Sequence, residues 1–326
     1  MDLIYMNKDK EDVGVLLNYT FDLAYGYDEN DFELKVNTNN HVCEAGFIVY
    51  IENTEYGGVI DRIRVKTSTK ELVYKGHTWH GILETKILEP NSGENYLLCS
   101  GEANEVLASL ISHMGIGDLF KGSVEDSGLT INNYQMNRYI NGYEGIKKML
   151  SEVSGKLKVN FQVDSDKKEG FVILSAVALV DYSNDDEFDS SQMDFDVEKN
   201  YIPTNHIICL GKGDLAEREV IHLYADTEGN ISHTQSQFGL NEITDTYENA
   251  NCESIEELEQ GGIGMMKELW NTDSLQVDFD GTKEYDIGDI VGARENTTGI
   301  TMAKPIIKKI VTIKNSIVTI THKVGE

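Results

Sequence analysis

The side chains that could do chemistry in this sequence are few, and they are poorly assembled for it. His77 and His80 stand three residues apart, a spacing that would put two imidazoles on one face of a helix. Their surroundings have a strand-like pattern, Gly76 and Gly81 flank the pair, and no acid or cysteine beside them completes a ligand set. The sequence therefore predicts structural or surface histidines and no metal site.

Carboxylate pairs are the next candidates, because two carboxyl groups can hydrolyse a glycosidic bond. Asp185 with Asp186 and Glu256 with Glu257 are such pairs, but a chain with 56 acidic residues contains pairs by chance. The acidic run 181–198 lacks the glycine at position six and the glutamate at position twelve of an EF-hand loop. It predicts a solvated loop or linker rather than a calcium site.

Gly211 and Gly213 have the glycine spacing of a phosphate-binding loop. No Gly-Lys-Ser/Thr and no helical pattern follow them, so a turn between two strands is the better interpretation. The sequence also contains neither Gly-x-Ser-x-Gly nor His-Glu-x-x-His. A hydrolase built on another arrangement stays open, because one sequence does not give the geometry of a site.

The most informative segment runs from Tyr285 to Val291, where two acids lie in a tight turn between apolar residues. Gly288 supplies the freedom to adopt a positive φ. Asp286 and Asp289 can accept hydrogen bonds from backbone N–H groups around the turn. The apolar neighbours predict that this turn belongs to a small β-domain.

Composition limits the kind of protein to which this turn belongs. A chain of 326 residues predicts two or three domains. It has no run of about 18 apolar residues and no signal-peptide pattern at its start, so we expect no membrane association. Cys43, Cys99, Cys209 and Cys252 lie far apart, which is typical of buried thiols in a reducing compartment.

The net charge of −28 predicts repulsion of nucleic acid and of anionic membranes over most of the surface. Two interpretations remain open. The charge serves solubility alone, or it forms a surface along which DNA moves without sticking.

The hydrophobic pattern changes along the chain. Strand-like alternation at 32–36, and at 47–51 with a partner run at 59–65, predicts a meander of hairpins. Helical spacing follows at 103–114 and 146–153, and the two runs after it, 159–163 and 171–180, predict a hairpin.

A capping box at Ser254 and Glu257 predicts a third helix, despite Gly261 and Gly262 inside it. After this helix, Val277 with Phe279, the turn at 285–291 and apolar runs at 306–313 and 317–320 predict a terminal β-domain.

Several segments, taken in their order along the chain, match the pattern of one known family. They are Leu3-Ile4-Tyr5, Gly14-Val15-Leu16, Asp31-Phe32-Glu33-Leu34, Gly58-Val59-Ile60-Asp61-Arg62-Ile63, Gly76-His77-Thr78-Trp79-His80-Gly81-Ile82-Leu83, Asn205-His206-Ile207-Ile208-Cys209-Leu210-Gly211-Lys212-Gly213 with Glu217-Arg218, and Tyr285 to Val291. Together they resemble hub proteins from the tails of phages that infect Gram-positive bacteria and from related phage-like bacteriocins. The resemblance spans nearly the whole chain and rests on the order of the segments.

The resemblance implies an α+β, β-dominated fold with two small β-barrel tube domains and an α+β insertion. It implies a homotrimeric ring in which six barrels imitate the sixfold tail tube around the DNA channel. The implied partners are the tail tube protein, a spike or tip protein, the tape-measure protein and other baseplate components. No cofactor, no catalysis and no tight nucleic-acid binding are implied.

The corresponding domain boundaries are 1–98 for the main part of the first barrel, 99–180 for the insertion, 181–250 for the acidic linker and returning strands, and 251–326 for a helix and the second barrel. The implied location is the tail tip or baseplate of a virion or bacteriocin particle, assembled in the cytoplasm of the bacterial host. Longer relatives continue into a peptidoglycan-cleaving or receptor-binding region, whereas this sequence ends at Glu326, so we expect no lysin domain. The alternative from another class is a soluble, β-rich cell-wall or carbohydrate-active hydrolase.

Overall fold

The computed structural model describes residues 2–164, 169–185, 188–191, 194–252, 254–270, 272–277, 285–314 and 316–325. It divides into two compact units. The first consists of Met1–Phe195 with Val277–Gly325, and the second consists of Asp196–Gln276.

Strands dominate both units. In chain order they are β1 (Leu3–Met6), β2 (Asp12–Leu16), β3 (Thr20–Gly26), β4 (Asp31–Asn37), β5 (Ile48–Tyr50), β6 (Gly57–Lys66), β7 (Glu71–Thr78), β8 (Ile87–Leu88), β9 (Leu98–Glu102), β10 (Phe120–Gly122), β11 (Thr130–Gln135), β12 (Ile140–Asn141), β13 (Gly155–Val163), β14 (Gly170–Ala178), β15 (Phe195–Glu198), β16 (His206–Leu210), β17 (Val220–Ala225), β18 (Ile231–Ser232), β19 (Thr244–Glu248), β20 (Ser274–Val277), β21 (Ile290–Arg294), β22 (Thr301–Lys314) and β23 (Ile317–Val324). The α-helices are α1 (Trp79–Glu84), α2 (Ala103–His113), α3 (Gly142–Ser151) and α4 (Ile255–Trp270).

A ten-stranded sheet is the frame of the first unit. Its order is β2-β1-β5-β6-β7-β4-β3-β22-β21, and β23 pairs with β22 beside this path. The apolar residues that alternate along the strands pack into one core, which includes Phe21, Leu34, Tyr74 and Ile313. The predicted β5–β6 hairpin is confirmed, whereas β4 pairs with β3 and β7 and does not continue the meander into β5.

The predicted α+β insertion contains α2, α3 and the β13–β14 hairpin, and these elements are confirmed. Glu102 caps α2 by accepting a hydrogen bond from Glu105 N, and Asn141 caps α3 by accepting one from Glu144 N. Their apolar faces form a second core on the hairpin, in which Phe161 stacks on Trp79 at 5.1 Å between ring centroids.

The second unit has its own sheet, in the order β18-β17-β16-β19, and its own core. The capping box is confirmed, since Glu257 N donates to Ser254 Oγ at 3.2 Å at the start of α4. Gly262 lets the helix approach the sheet closely, because a Cβ there would lie 2.2 Å from Cys209 Sγ. β15 and β20 form a separate two-stranded ladder.

The unit boundaries differ from the boundaries predicted at 181–250 and 251–326. Helix α4 packs on β16 and β17, whereas β21, β22 and β23 join the sheet of the first unit through β3. The predicted strand around Val277 is β20, which pairs with β15 instead of the terminal strands, and Phe279 lies outside the described residues. Local periodicity identifies strands but not partners that are hundreds of residues away.

Candidate functional site

The segment from Tyr285 to Val291 contains the turn and runs into β21, which begins at Ile290. Gly288 has a φ of +97°, a value that residues with a Cβ rarely adopt. Its N–H donates to Ile306 O at 2.8 Å, and Ile306 N donates back to Asp289 O at 2.8 Å. The turn is therefore fixed to the middle of β22.

Asp289 is the centre of this region. Its carboxylate accepts hydrogen bonds from Asp286 N at 3.0 Å and from Val180 N at 2.9 Å. Lys156 Nζ contacts its two oxygens at 2.8 and 2.7 Å. The side chains of Lys156 and Asp289 are only 8% and 2% exposed, so this ion pair lies in the interior. It joins the β13–β14 hairpin to the turn before β21.

Three further charged groups extend the pair into an ion cluster, which consists of Glu55, Lys156, Asp286, Asp289 and Lys309. Lys156 Nζ lies 3.1 Å from Asp286 Oδ2, and Lys309 Nζ lies 3.7 Å from the other oxygen of that carboxylate. Lys309 Nζ also contacts Glu55 Oε1 at 2.7 Å. Every charge in the cluster therefore has a partner of opposite sign, as buried charges require.

The cluster shifts the pKa values of Asp286 and Lys309. Burial raises the pKa of Asp286, but Lys156 and Lys309 outweigh burial and hold that pKa below its ordinary value. Burial lowers the pKa of Lys309, and Glu55 and Tyr56 outweigh it, so the net pKa is raised. Both groups stay charged at neutral pH, so the ion pairs of the cluster persist there and stabilise the fold.

His322 lies beside the cluster on β23. Its Nε2 contacts Tyr285 O at 3.0 Å, and burial lowers its pKa to about 4. The ring is therefore neutral at pH 7, and Nε2 carries the proton because a carbonyl oxygen only accepts. This hydrogen bond holds the first residue of the turn segment to β23.

The glycines of the other predicted turn lie in the second unit. The loop from β16 to β17 is closed by Gly211 N donating to Glu219 O and Glu219 N donating to Lys212 O, both at 2.8 Å. Gly213 has a φ of +91°. A Cβ on Gly211 would lie 2.8 Å from Leu258 Cδ2, so helix α4 occupies the space beside this glycine. The arrangement serves packing and leaves no cradle for a phosphate on that side.

The two histidines considered as a metal pair are separated by the structure. The prediction of a strand-like environment is wrong for His80, because Thr78 Oγ1 accepts from Gly81 N and starts helix α1. His80 is buried between the rings of Tyr25 and Tyr143, and burial lowers its pKa to about 4. His77 remains on β7 with a half-exposed ring.

Glu256 and Glu257 lie in the first turn of α4, where carboxylates favour a helix N-terminus. Asp185 lies in the loop before β15, and Asp186 lies outside the described residues.

Within the described part of the chain, no three histidine, cysteine or carboxylate side chains are grouped as metal ligands. The four cysteines are free and buried. None of the helices in the described ranges is long and apolar enough to cross a membrane.

Sequence reasoning identified the acids of the turn but missed the lysines that hold them. Lys308 and Lys309 interrupt the apolar run 306–313, and buried charges in a strand require partners. That interruption is a usable signal for an ion cluster. Lys156 carries no such signal, because Lys156 and Lys158 alternate along β13 as exposed residues would.

The fold and the site thus define a β-dominated scaffold in which a buried ion cluster joins the β13–β14 hairpin to the turn at Gly288. No family model and no curated protein matches the sequence. Among solved structures, the chain is similar to the 43 kDa tail protein of prophage MuSo2 from Shewanella oneidensis, with a TM-score of 0.53, 11% identity, and coverage of 99% of this chain and 98% of that one. It is similar over the same shares to a chain of the phage P2 virion baseplate in its activated conformation, with a TM-score of 0.51 and 11% identity.

These similarities show the fold of phage tail and baseplate proteins. The resemblance to tail hub proteins predicted from the order of the sequence segments is confirmed at the level of the fold.

Proposed function

We propose that this protein is the structural hub of a phage tail or of a phage-like bacteriocin. In this proposal, three copies form a ring that adapts the sixfold tail tube to a threefold spike or tip and surrounds the DNA channel. The observation that carries the proposal is a similarity to tail and baseplate proteins that extends over 99% of this chain. In this proposal, the two small β-barrels of each copy are built from the ten-stranded sheet, in which the N-terminal strands continue through β3 into β21–β23 and the turn at Gly288.

The ion cluster supports a structural role. A general acid or base works best when its pKa lies near the working pH. The shifts at Asp286 and Lys309 go the other way, since the pKa of the acid is lowered and that of the base is raised. His80 and His322 have lost their charge through burial. These groups are suited to holding strands together, and we propose that the protein is not an enzyme.

The proposed partners follow from the ring. The tail tube protein stacks on one side, the spike or tip protein attaches on the other, and the tape-measure protein and baseplate components lie next to them. The location is the tail tip or baseplate of the assembled particle. The net charge of −28 supports passage of DNA without tight binding.

Mass photometry and negative-stain microscopy of the purified full chain test the proposal. We expect a mass three times that of the 36.5 kDa chain and ring-shaped particles. A control sample at low concentration shows whether the trimer dissociates. A monomer that clears a suspension of bacterial cell walls would refute the proposal and support the hydrolase alternative.

A further inference from the structure

Part of strand β6 lies on an unpaired edge of the ten-stranded sheet. β5 pairs with β6 only at Gly57, Gly58 and Val59, whereas β7 pairs with it as far as Lys66. From 61 to 66 the outer edge of β6 has no partner strand among the residues that the structure describes, and every residue there is exposed. Such an edge offers free N–H and C=O groups to another strand.

The side chains on this edge follow a strict alternation. Arg62, Arg64 and Lys66 point to one side of the sheet, and Ile63 and Val65 point to the other. Ile63 and Val65 are 40% and 54% exposed, so their apolar side chains are available to a partner strand. Positive charges on an edge discourage pairing with most strands, and they select a strand of opposite charge.

The same chain contains a strand with the complementary pattern. Asp194, Asp196 and Glu198 alternate with Phe195 and Val197 along β15 and the residue before it. The three acids are exposed. β15 pairs with β20 on one side, and no described strand pairs with its other edge.

We propose that the β6 edge at 62–66 of one copy forms a β-ladder with 194–198 of a second copy. With Arg64 opposite Asp196, three pairs of opposite charge form on one side of the ladder, whether the strands run parallel or antiparallel. The apolar residues then meet on the other side. A slip of one residue would put each base opposite an apolar residue, so the pattern fixes the register.

This ladder joins two different surfaces, so it is a heterologous contact that closes into a ring or continues as a filament. The inference rests on the proposed function, which supplies the ring of three copies. It adds the strands that hold neighbouring copies together.

Disulfide cross-linking between two single variants tests the pairing. Opposite residues in a β-ladder have Cα atoms about 4.5–5.5 Å apart, which a disulfide can span. We expect a mixture of Arg64→Cys and Asp196→Cys chains to give a cross-linked dimer on a non-reducing gel, and neither variant to do so alone. Native cysteines add little background, because all four are buried. Val65→Cys mixed with Asp196→Cys is the register control and should not cross-link, since these side chains lie on opposite faces.

Charge reversal gives a second, independent measurement. We expect Arg64→Glu to weaken association about tenfold or more, because an attractive pair becomes repulsive. The chain that carries Arg64→Glu together with Asp196→Lys should regain most of the affinity. Lys212→Glu changes the charge equally at an exposed loop and should leave association unchanged.

The outcomes separate the two proposals. A trimer with the 64–196 cross-link supports both. A trimer without the cross-link, or with equal cross-linking in the register control, overturns the strand pairing and leaves the hub intact. A cross-link in open chains of copies supports the pairing and contradicts the trimer, whereas a monomer without a cross-link overturns both.

Discussion

Replacing Asp289 with alanine should destabilise the first unit far more than replacing Asp286, although the two acids belong to one turn. Asp289→Ala leaves the Lys156 ammonium without its main partner and leaves the N–H groups of Val180 and Asp286 without an acceptor. Removing one member of a buried ion pair costs about 3–5 kcal/mol. The side chain of Asp286 is 37% exposed, and when it is removed Lys156 keeps Asp289 and Lys309 keeps Glu55, so we expect a loss of only about 0–1 kcal/mol.

The two tryptophans allow this measurement on one unit at a time. Trp79 is buried in the first unit, and Trp270 belongs to the second. In a Trp270→Phe background, fluorescence during urea unfolding reports the first unit alone. The difference in unfolding free energy between the Asp289→Ala and Asp286→Ala variants should be about 2–5 kcal/mol.

A double replacement checks the electrostatic explanation. Lys156→Met with Asp289→Leu removes both charges and keeps the volume filled, so it should recover much of the loss. Equal destabilisation by the two single alanine variants would refute the reasoning. A double variant less stable than Asp289→Ala would do the same.

Three further predictions concern the turn, helix α4 and pH. Gly288→Val should cost about 1–3 kcal/mol, because valine strains a backbone at positive φ, and should block particle assembly; normal particles in electron micrographs would contradict the turn assignment. Gly262→Ala should destabilise the second unit, because the added Cβ would clash with a cysteine sulfur of β16. Gly264→Ala has open space around it and should stabilise the unit by about 1 kcal/mol. Thermal unfolding of both variants would show the difference. Since burial lowers the pKa values of His80 and His322 to about 4, the unfolded chain binds more protons, and stability should fall as pH drops from about 6.5 to 4; a flat pH profile would contradict this.

Alternation and helical spacing predicted most elements of the first unit, because burial of one face leaves a local record in the sequence. Helix α1 was missed for a local reason. It has only six residues, and its Thr78 cap follows a strand without a break. The glycines inside α4 were interpreted as weak points, although Gly262 is where the helix touches the sheet.

The turn of the candidate site could be predicted from the sequence, but the lysine that pairs with its acids could not. Gly288 and the two acids near it are residue types that tight turns favour, so the sequence around them is enough to predict a turn. Lys156 reaches Asp289 across 133 positions, and no spacing rule covers that distance. The division into units could not be predicted for the same reason, since β3 pairs on one edge with its neighbour β4 and on the other with β22, which is far away in the sequence.

The β3–β22 pairing also means that the sheet of the first unit cannot be completed until the end of the chain has been synthesised. Asp22 and Thr312 lie 290 positions apart, so at about 5–20 residues per second a ribosome needs roughly 15–60 s to produce the partner of β3. The four-stranded sheet of the second unit forms from strands within 206–248, so it can fold during that interval. Until β22 emerges, the β3 edge is open to strands of other nascent chains. Expression at low temperature or with a chaperone that shields strand edges should therefore improve the yield of folded protein.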